Sequence, residues 1–173
     1  MSSAISTPET EALIWKCFLP SPEATNALAE RLAPILGAGD AVMLSGPIGA
    51  GKTHFARALI QARLKAVDIW EDVPSPTFTL VQTYQADELE IWHADLYRLG
   101  GPADVDELGL FEAFDMALTL VEWPERLGSE RPAQRLELRF ETGQEVGQRN
   151  LTALAFGSKW HRREAALSEL FRG

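Results

Sequence analysis

The stretch GPIGAGKT, residues Gly46 to Thr53, matches the phosphate-binding pattern G-x-x-x-x-G-K-[ST] at every fixed position. The apolar run before it, Ala41 to Leu44, predicts a short buried strand, and residues 52–64 predict a helix that begins at the lysine. The pattern requires this strand–loop–helix order, because the loop N–H groups and the positive end of the helix dipole then face the same anion. The alternative is a glycine-rich turn with an incidental lysine, which the flanking segments disfavour.

Each residue type in this stretch suits one part of a nucleoside triphosphate. We expect the ammonium of Lys52 to reach the β- and γ-phosphates and the hydroxyl of Thr53 to ligate Mg²⁺. The backbone of Gly49–Gly51, which includes Ala50, would cradle the phosphates through its N–H groups. His54 follows directly and joins the expected nucleotide contacts, but its position alone assigns it no specific role.

Length and composition predict one domain over residues 1–173, with residues 1–12 loosely ordered and 158–173 forming a C-terminal helix. A hydrophobic content of 46% and a charged content of 24% are typical of a globular protein. Cys17 is the single cysteine, which excludes an internal disulfide. The first 11 residues lack a basic region followed by an apolar run, and no stretch has the length of a membrane span. We therefore expect a cytoplasmic protein.

The net charge of −9 is concentrated in the middle of the chain. Residues 68–125 contain fourteen Asp and Glu side chains and one basic residue, Arg98. Such a segment repels a polyphosphate backbone, which argues against a broad nucleic-acid surface there. It is either a solvated face, a docking surface for a basic partner, or a source of metal ligands.

Apolar runs and polar breaks predict the remaining elements. Ser21 and Pro22 are typical of a helix start, and the apolar spacing extends that helix to Leu36. Residues 105–114 predict short helical pieces, and Ser158 is expected to cap the last helix. Alternation predicts that most of 75–84 is strand, paired with 89–95 as an antiparallel hairpin. Further strands are predicted at 13–19, 118–121, 135–142 and 151–156.

Two acidic residues follow predicted strands and are candidates to serve the phosphate loop. Glu122 follows the apolar run 118–121, and Asp95 ends the strand 91–94. A metal beside the loop needs an oxygen ligand beyond Thr53, and an acid at the end of a neighbouring buried strand would supply it. Glu122 is the better metal ligand because its strand is the more apolar, and Asp95 would then act on metal-bound or attacking water. The alternative for each is a surface acid at a strand end.

Thr77 and Thr79 follow a Ser-Pro break, and such hydroxyls can close over a γ-phosphate as switch loops do. The alternative is ordinary strand threonine. His93 is interpreted as a strand side chain, and Trp123 as a core or interface residue.

Five motifs together resemble the TsaE (formerly YjeE) ATPases, which belong to the bacterial machinery that makes N6-threonylcarbamoyladenosine in transfer RNA. The resemblance covers about residues 13 to 127. In chain order, the motifs are Gly49–Thr53, Ser75–Val81, His93 with Asp95–Leu99, Glu107 with Gly109–Leu110, and Leu120–Pro124.

This resemblance implies an α/β fold, a single phosphate-loop NTPase domain with a mixed sheet. The sheet has a parallel centre and antiparallel flanking strands, with helices on both faces. It also implies binding of ATP and Mg²⁺, weak intrinsic hydrolysis, and docking on a complex of the TsaD and TsaB proteins. By matching position, Lys52 and Thr53 hold phosphate and metal, Glu122 is a metal ligand, Asp95 is catalytic or metal-linked, and Thr25 lies near the nucleotide. Pro47, Ile48 and His54 depart from residues frequent in the family, at positions that the loop pattern does not fix.

Three other functions remain open on the sequence. A phosphate-loop kinase of a small metabolite would need an arginine-bearing lid, yet 68–125 holds only Arg98. A GTP-dependent switch finds support only in the short match Asp106–Gly109, without an Asn-Lys-x-Asp motif for guanine. A nucleotide-binding scaffold without turnover is the third.

Overall fold

The computed structural model describes residues 12–172, and the strands in this range form one seven-stranded sheet. Residues 1–12 are predicted to be loosely ordered. Except for Ala12, these residues lie outside the described range. The strands are β1 (Leu13–Leu19), β2 (Ala41–Ser45), β3 (Val81–Ala86), β4 (Leu89–Asp95), β5 (Leu118–Glu122), β6 (Arg135–Thr142) and β7 (Arg149–Phe156). The helices are α1 (Pro22–Leu32), α2 (Lys52–Lys65), α3 (Pro102–Asp106), α4 (Leu110–Met116), α5 (Ser158–His161) and α6 (Glu164–Arg172), with 3-10 turns at Ala33–Ile35 and Pro124–Glu130.

The first two helices begin in different ways. The Ser21 hydroxyl accepts a hydrogen bond from the Ala24 N–H at 3.1 Å, and Pro22 occupies the first helical position, as predicted. No side chain caps α2, which follows Gly51 in the left-handed conformation at φ +105°. The N–H groups at its start are thus left for the loop and its ligand.

The sheet has the strand order β1-β7-β6-β2-β5-β4-β3. Strands β6, β2, β5 and β4 are parallel, whereas β1 and β7 on one flank and β3 on the other are antiparallel to their neighbours. The predicted mixed sheet with a parallel centre and antiparallel flanks is therefore confirmed, as is the hairpin of β3 and β4. Carboxyl ends of parallel strands meet at one edge of a sheet, and this edge carries the phosphate loop.

Side chains of β2 alternate between two apolar clusters, one on each face of the sheet. Val42 and Leu44 pack in the cluster that includes residues of α1, α2 and α6. Ala41 and Met43 pack in the second cluster, with residues of α3 and α4. Successive strand residues point to opposite faces, so helices cover both faces, as predicted.

The predicted strand over 75–84 is wrong in its first half. Residues 77–80 form a turn closed by the Leu80 N–H, which donates to the Pro76 carbonyl at 2.8 Å, and Leu80 has a positive φ of 68°. Phe78, which the alternation placed on a strand face, is 80% exposed and lies against the Arg98 guanidinium at 4.5 Å. Alternating Thr and apolar residues imitate a strand here, but the left-handed Leu80 interrupts it.

The C-terminal prediction needs two corrections. Ser158 is the first residue of α5 rather than its cap, and the single expected helix is two, α5 and α6. Lys159 and Arg163 both bind the buried carboxylate of Asp40, each at 2.8 Å, and this shared anchor spans the break between the helices. In addition, β7 begins at Arg149, two residues before the predicted start, because Arg149 and Asn150 pair with Thr142 and Glu141.

Candidate nucleotide-binding site

The phosphate loop joins β2 to α2 and relies on glycine at three positions. Gly46, Gly49 and Gly51 have positive φ values of 137°, 78° and 105°, which side chains rarely adopt. A Cβ atom at Gly46 would also lie 2.3 Å from the carbonyl oxygen of Phe140, so only glycine fits there. Ala50 is fully buried, and its N–H donates to the Pro47 carbonyl at 3.2 Å. Its N–H therefore closes a turn of the loop.

Lys52, the first residue of α2, is 5% exposed and folds back over the loop. Its ammonium donates to the Gly46 carbonyl and lies 3.6 Å from the centre of the Trp123 ring. Burial lowers the pKa of Lys52, and the carboxylates of Glu122, Glu125 and Asp95 oppose that shift. A phosphate is a stronger partner for this cation than a neutral carbonyl, so the lysine is available to an anion in the loop.

Glu122 connects the loop to the end of β5 and is 2% exposed. Its Oε1 accepts a hydrogen bond from the Thr53 hydroxyl at 2.6 Å, and its Oε2 lies 2.7 Å from Nε2 of His93. His93 is fully buried, and among the described residues its Nδ1 has no hydrogen-bond partner. A proton on Nε2 therefore satisfies the contact with the carboxylate. The two predicted metal ligands are thus in direct contact, and His93 holds the second oxygen.

Asp95 lies beside Glu122 because β4 and β5 are parallel and pair these two residues in register. Leu44, at the end of β2, pairs with Glu122 from the other side. Burial raises the pKa of Asp95, the Tyr97 N–H bound to its Oδ1 at 3.0 Å opposes the shift, and the Glu122 charge adds to it. Both predicted acids therefore lie at the same sheet edge as the loop.

A cavity of about 320 Å³ opens beside the phosphate loop. Thr25, in α1, and His54, in α2, form two of its walls, and the His54 ring nitrogen Nε2 lies 3.3 Å from the Pro22 carbonyl oxygen. Its complete lining is Pro22, Thr25, Gly49, Gly51, Lys52, Thr53, His54, Gly147 and Arg149. The structure thus gathers most of the predicted nucleotide contacts around one cavity of ligand size.

Thr77 is placed apart from this cavity: within the part of the chain that the structure describes, the lining does not include it. Its hydroxyl lies 2.7 Å from that of Ser75. The turn that contains it nevertheless ends at the site, because the Asp95 N–H donates to the Leu80 carbonyl at 2.9 Å. The turn that contains Thr77 therefore adjoins Asp95, while Thr77 itself does not line the cavity.

The residues at this edge fit both a nucleotide and Mg²⁺. In residues 12–172 no cluster of three or more His, Cys, Asp and Glu side chains could hold a metal on its own. Mg²⁺ bound with a nucleotide does not need one, because phosphate oxygens and waters complete a shell that one or two protein oxygens begin. Thr53 and Glu122 supply a hydroxyl and a carboxylate in contact at 2.6 Å.

No helix in the described range is both long and apolar enough to cross a membrane.

Sequence reasoning missed three residues of the site. His93 could have been found, because it precedes Asp95 by two positions and strand periodicity places both on one face. Trp123 directly follows Glu122 and has a positive φ of 59°, a strained conformation that local sequence does not signal. Arg149 is 100 residues from Gly49, whose carbonyl it binds, and carries no motif.

Comparisons with known proteins show which family this chain resembles. The family model described as "Threonylcarbamoyl adenosine biosynthesis protein TsaE" matches residues 19–151. The TsaE protein of Bacillus subtilis is 32% identical over 141 residues, which cover 81% of this chain and 85% of that protein. The TsaE protein of Rickettsia conorii is 45% identical over 107 residues, 62% of this chain. The match covers only 59% of the Rickettsia conorii protein and 61% of its Rickettsia felis relative.

The fold also matches a solved structure. The crystal structure of Bacillus subtilis YdiB superposes with a TM-score of 0.73 and 29% sequence identity. The superposition covers 93% of this chain and 96% of YdiB, so it extends well beyond the phosphate loop. With the family model matched over most of its length, the chain belongs to the TsaE family.

Proposed function

We propose that this chain binds and hydrolyses ATP as a subunit of the machinery that forms threonylcarbamoyladenosine in transfer RNA. The observation that carries the proposal is the hydrogen bond from Thr53 to Glu122, which joins a phosphate loop to a buried carboxylate at the neighbouring strand end. Membership of the TsaE family supports the pathway, because the relatives are named for threonylcarbamoyladenosine biosynthesis.

The residues of the chain divide the work of ATP binding. N–H groups of the loop and the α2 N-terminus face the phosphates, and Lys52 adds a positive charge at the β- and γ-phosphates. Thr53 and Glu122 hold Mg²⁺, which supplies neutralisation of the charge that develops on the phosphates. Thr25 and His54 face the nucleotide from the cavity wall.

Asp95 is the residue that acts on the attacking water. It lies beside Glu122 on the adjacent strand, and its raised pKa reflects a buried carboxyl that readily takes a proton. The turn ending at Leu80 binds the Asp95 backbone. A closure of Thr77 over the γ-phosphate would therefore be coupled to the position of Asp95.

The partners are the TsaD and TsaB proteins, and transfer RNA is reached through them in the cytoplasm. The acidic segment 68–125 supports this arrangement, since it repels RNA and suits a basic protein surface. Intrinsic turnover is weak in this proposal, and docking on the partners stimulates it.

Reconstitution with the TsaD and TsaB proteins, transfer RNA and ATP tests the proposal. We expect multiple-turnover modification with the intact chain, and none beyond the first round with Lys52→Ala or Glu122→Gln. Full modification by both variants would favour a scaffold over an ATPase. Stoichiometric phosphoryl transfer from ATP to a small metabolite would replace the proposal with a kinase.

A further inference from the structure

The lining of the cavity beside the phosphate loop contains a second cationic residue, in addition to Lys52, that lies outside the phosphate-binding motif. Arg149, the first residue of β7, lines this cavity together with Pro22 and Thr25 of α1. The turn before β7 packs closely on the helix start, since a Cβ atom at Gly147 would lie 3.0 Å from Cδ of Pro22. The strand end that carries Arg149 is thus fixed against the nucleotide cavity.

The guanidinium of Arg149 lies directly on the phosphate loop. Its Nη2 donates to the Gly49 carbonyl at 3.0 Å, and its Nη1 donates to the Gln148 carbonyl at 2.7 Å. A Cβ atom at Gly51 would lie 3.3 Å from its Nε. The side chain therefore covers the two glycines whose positive φ values shape the phosphate cradle.

The charge of the cavity points to an anion as its ligand. Its described lining contains two fixed cations, Lys52 and Arg149, and no carboxylate. This is an exception in a chain with a net charge of −9. Lys52 reaches the loop from the helix, whereas Arg149 reaches it from the sheet flank, so the two cations approach from different elements.

Within residues 12–172, the hydrogen-bond partners of Arg149 are two neutral carbonyl oxygens, and they do not use all of its N–H donors. Charge-assisted bonds from a guanidinium to phosphate are roughly twice as strong as neutral ones, and its planar fork matches two phosphate oxygens at once. An anion in the cradle therefore competes favourably for this group. The hydrogen bond to the Gly49 carbonyl places the Arg149 guanidinium at the phosphate cradle.

We propose that Arg149 is a second phosphate-binding cation of the nucleotide site, acting together with Lys52 so that the site selects ligands by their phosphate chain. The inference rests on the proposed ATP function. Its consequence is that β7, a flanking strand outside the phosphate-loop motif, takes part in nucleotide recognition.

The test is calorimetric titration of ADP and of inorganic pyrophosphate into the full chain and into Arg149→Gln, without Mg²⁺. Pyrophosphate has the phosphates but no base, so it separates the two roles that Arg149 could have. We expect Arg149→Gln to weaken both ligands by a similar factor, about tenfold to a hundredfold, as for other hydrogen bonds to charged groups. Arg149→Lys should retain part of the affinity because it keeps the charge but not the fork.

Arg162→Gln is the matched control. It removes the same charge from an exposed residue that follows α5, beyond the opposite end of β7, and both affinities should stay unchanged. Titrations at a temperature where each variant is folded, checked by thermal unfolding without ligand, exclude loss of structure as the cause.

The outcomes distinguish this inference from the function on which it rests. Unchanged binding by Arg149→Gln, or a loss confined to ADP, overturns the phosphate role of Arg149, while binding by the intact chain and loss in Lys52→Ala leave the ATP site standing. Failure of the intact chain to bind ADP overturns both.

Discussion

Two buried glutamates lie on the strands that flank β2, and their surroundings differ. Glu137, in β6, is 3% exposed and contacts three guanidinium groups, of Arg131 at 3.1 Å, Arg135 at 2.7 Å and Arg139 at 3.1 Å. Glu122, in β5, is buried to a similar degree, and in the described range its carboxylate has a hydroxyl and an imidazole as hydrogen-bond partners. Strand register also places them on opposite faces of the sheet, with Glu137 beside Met43 and Glu122 beside Leu44.

This difference separates a structural carboxylate from one available to a ligand. Burial alone would raise the pKa of Glu137, but the Arg135 bond and charge, with Arg139 and Arg131, more than offset it and hold the pKa below the ordinary value. Its oxygens are fully engaged by fixed cations. Among the described residues Glu122 forms no ion pair with an Arg or Lys side chain, although its charge and that of the Lys52 ammonium interact. A divalent cation beside Thr53 would therefore find a carboxylate that no guanidinium holds. Burial of an acidic residue is therefore not enough to identify it as a metal ligand. The groups that contact its carboxylate distinguish a metal ligand from a structural acid.

The largest expected effect is on turnover in Glu122→Gln. The amide keeps the size and the acceptor toward Thr53 but removes the charge that would hold the metal in the proposed site. Because metal neutralisation is worth several kcal/mol and each ~1.4 kcal/mol is tenfold, the rate of Mg²⁺-dependent ATP hydrolysis should fall on the order of a hundredfold or more. Phosphate release per folded molecule measures it.

Glu137→Gln is the matched substitution and should leave that rate within about twofold. A comparable loss of hydrolysis in both variants would abolish the distinction between the two acids.

The second effect is on stability in Glu137→Gln. Three guanidiniums lose their anion in a partly buried site, and breaking a buried ion pair costs about 3 kcal/mol. The free energy of unfolding from urea titration should fall by that amount, while Glu122→Gln changes it much less. A change below about 0.5 kcal/mol would show that Glu137 is not a structural anchor.

Glu137→Gln also tests how the stability of the protein depends on pH. The pKa of Glu137 is lower in the folded than in the unfolded chain, so its stabilisation is present above the ordinary value of 4.5 and is lost as the pH falls through the folded pKa. The stability gap between the intact chain and Glu137→Gln should therefore be constant near neutral pH and narrow in acid below 4.5. A gap that widens in acid would contradict this assignment.

A third, smaller effect concerns His93, which holds the second oxygen of Glu122. His93→Leu removes the bond, and loss of an outer partner of a metal ligand typically weakens the metal by about tenfold. Titration of Mg²⁺ into the nucleotide complex measures this affinity. His93→Gln keeps a donor and should recover much of it, whereas equal affinities in both variants would assign His93 to packing alone.

The smallest effect is a gain of stability in Asp95→Asn. The folded chain raises the pKa of this carboxyl, so its ionised form is disfavoured at neutral pH and the amide removes that cost. We expect an increase of no more than about 1 kcal/mol, the range of most mild substitutions. The gain should vanish as the pH falls below the ordinary value of 3.8, where the wild-type carboxyl is itself protonated. A destabilised variant would mean that the charge of Asp95 is structural.

The same contrast explains what the sequence could predict. Glu122 and Asp95 follow apolar strands, and parallel pairing brings such strand ends to one edge, so local pattern and the family resemblance suffice for them. The central sheet and α2 were predictable for the same reason, because periodicity is a local property.

Long-range pairing was not predictable in this way. The position of Arg149 depends on the β6–β7 register and on its contact with Gly49, 100 residues away in the chain. The local sequence pattern predicts neither of them. The turn before β3 was mistaken for a strand because Thr77 to Leu80 alternate in polarity, while the left-handed backbone at Leu80 depends on its tertiary surroundings.

In the proposed magnesium site, Glu122 and Thr53 hold Mg²⁺ beside a nucleotide in the phosphate loop. Calorimetric binding of a non-hydrolysable ATP analogue, with Mg²⁺ and with a chelator, tests it most directly in the intact chain and in Glu122→Gln. We expect Mg²⁺ to tighten binding by the intact chain, Glu122→Gln to lose this gain, and both proteins to bind alike with the chelator. An undiminished Mg²⁺ gain in Glu122→Gln would show that Glu122 is not a ligand of the metal.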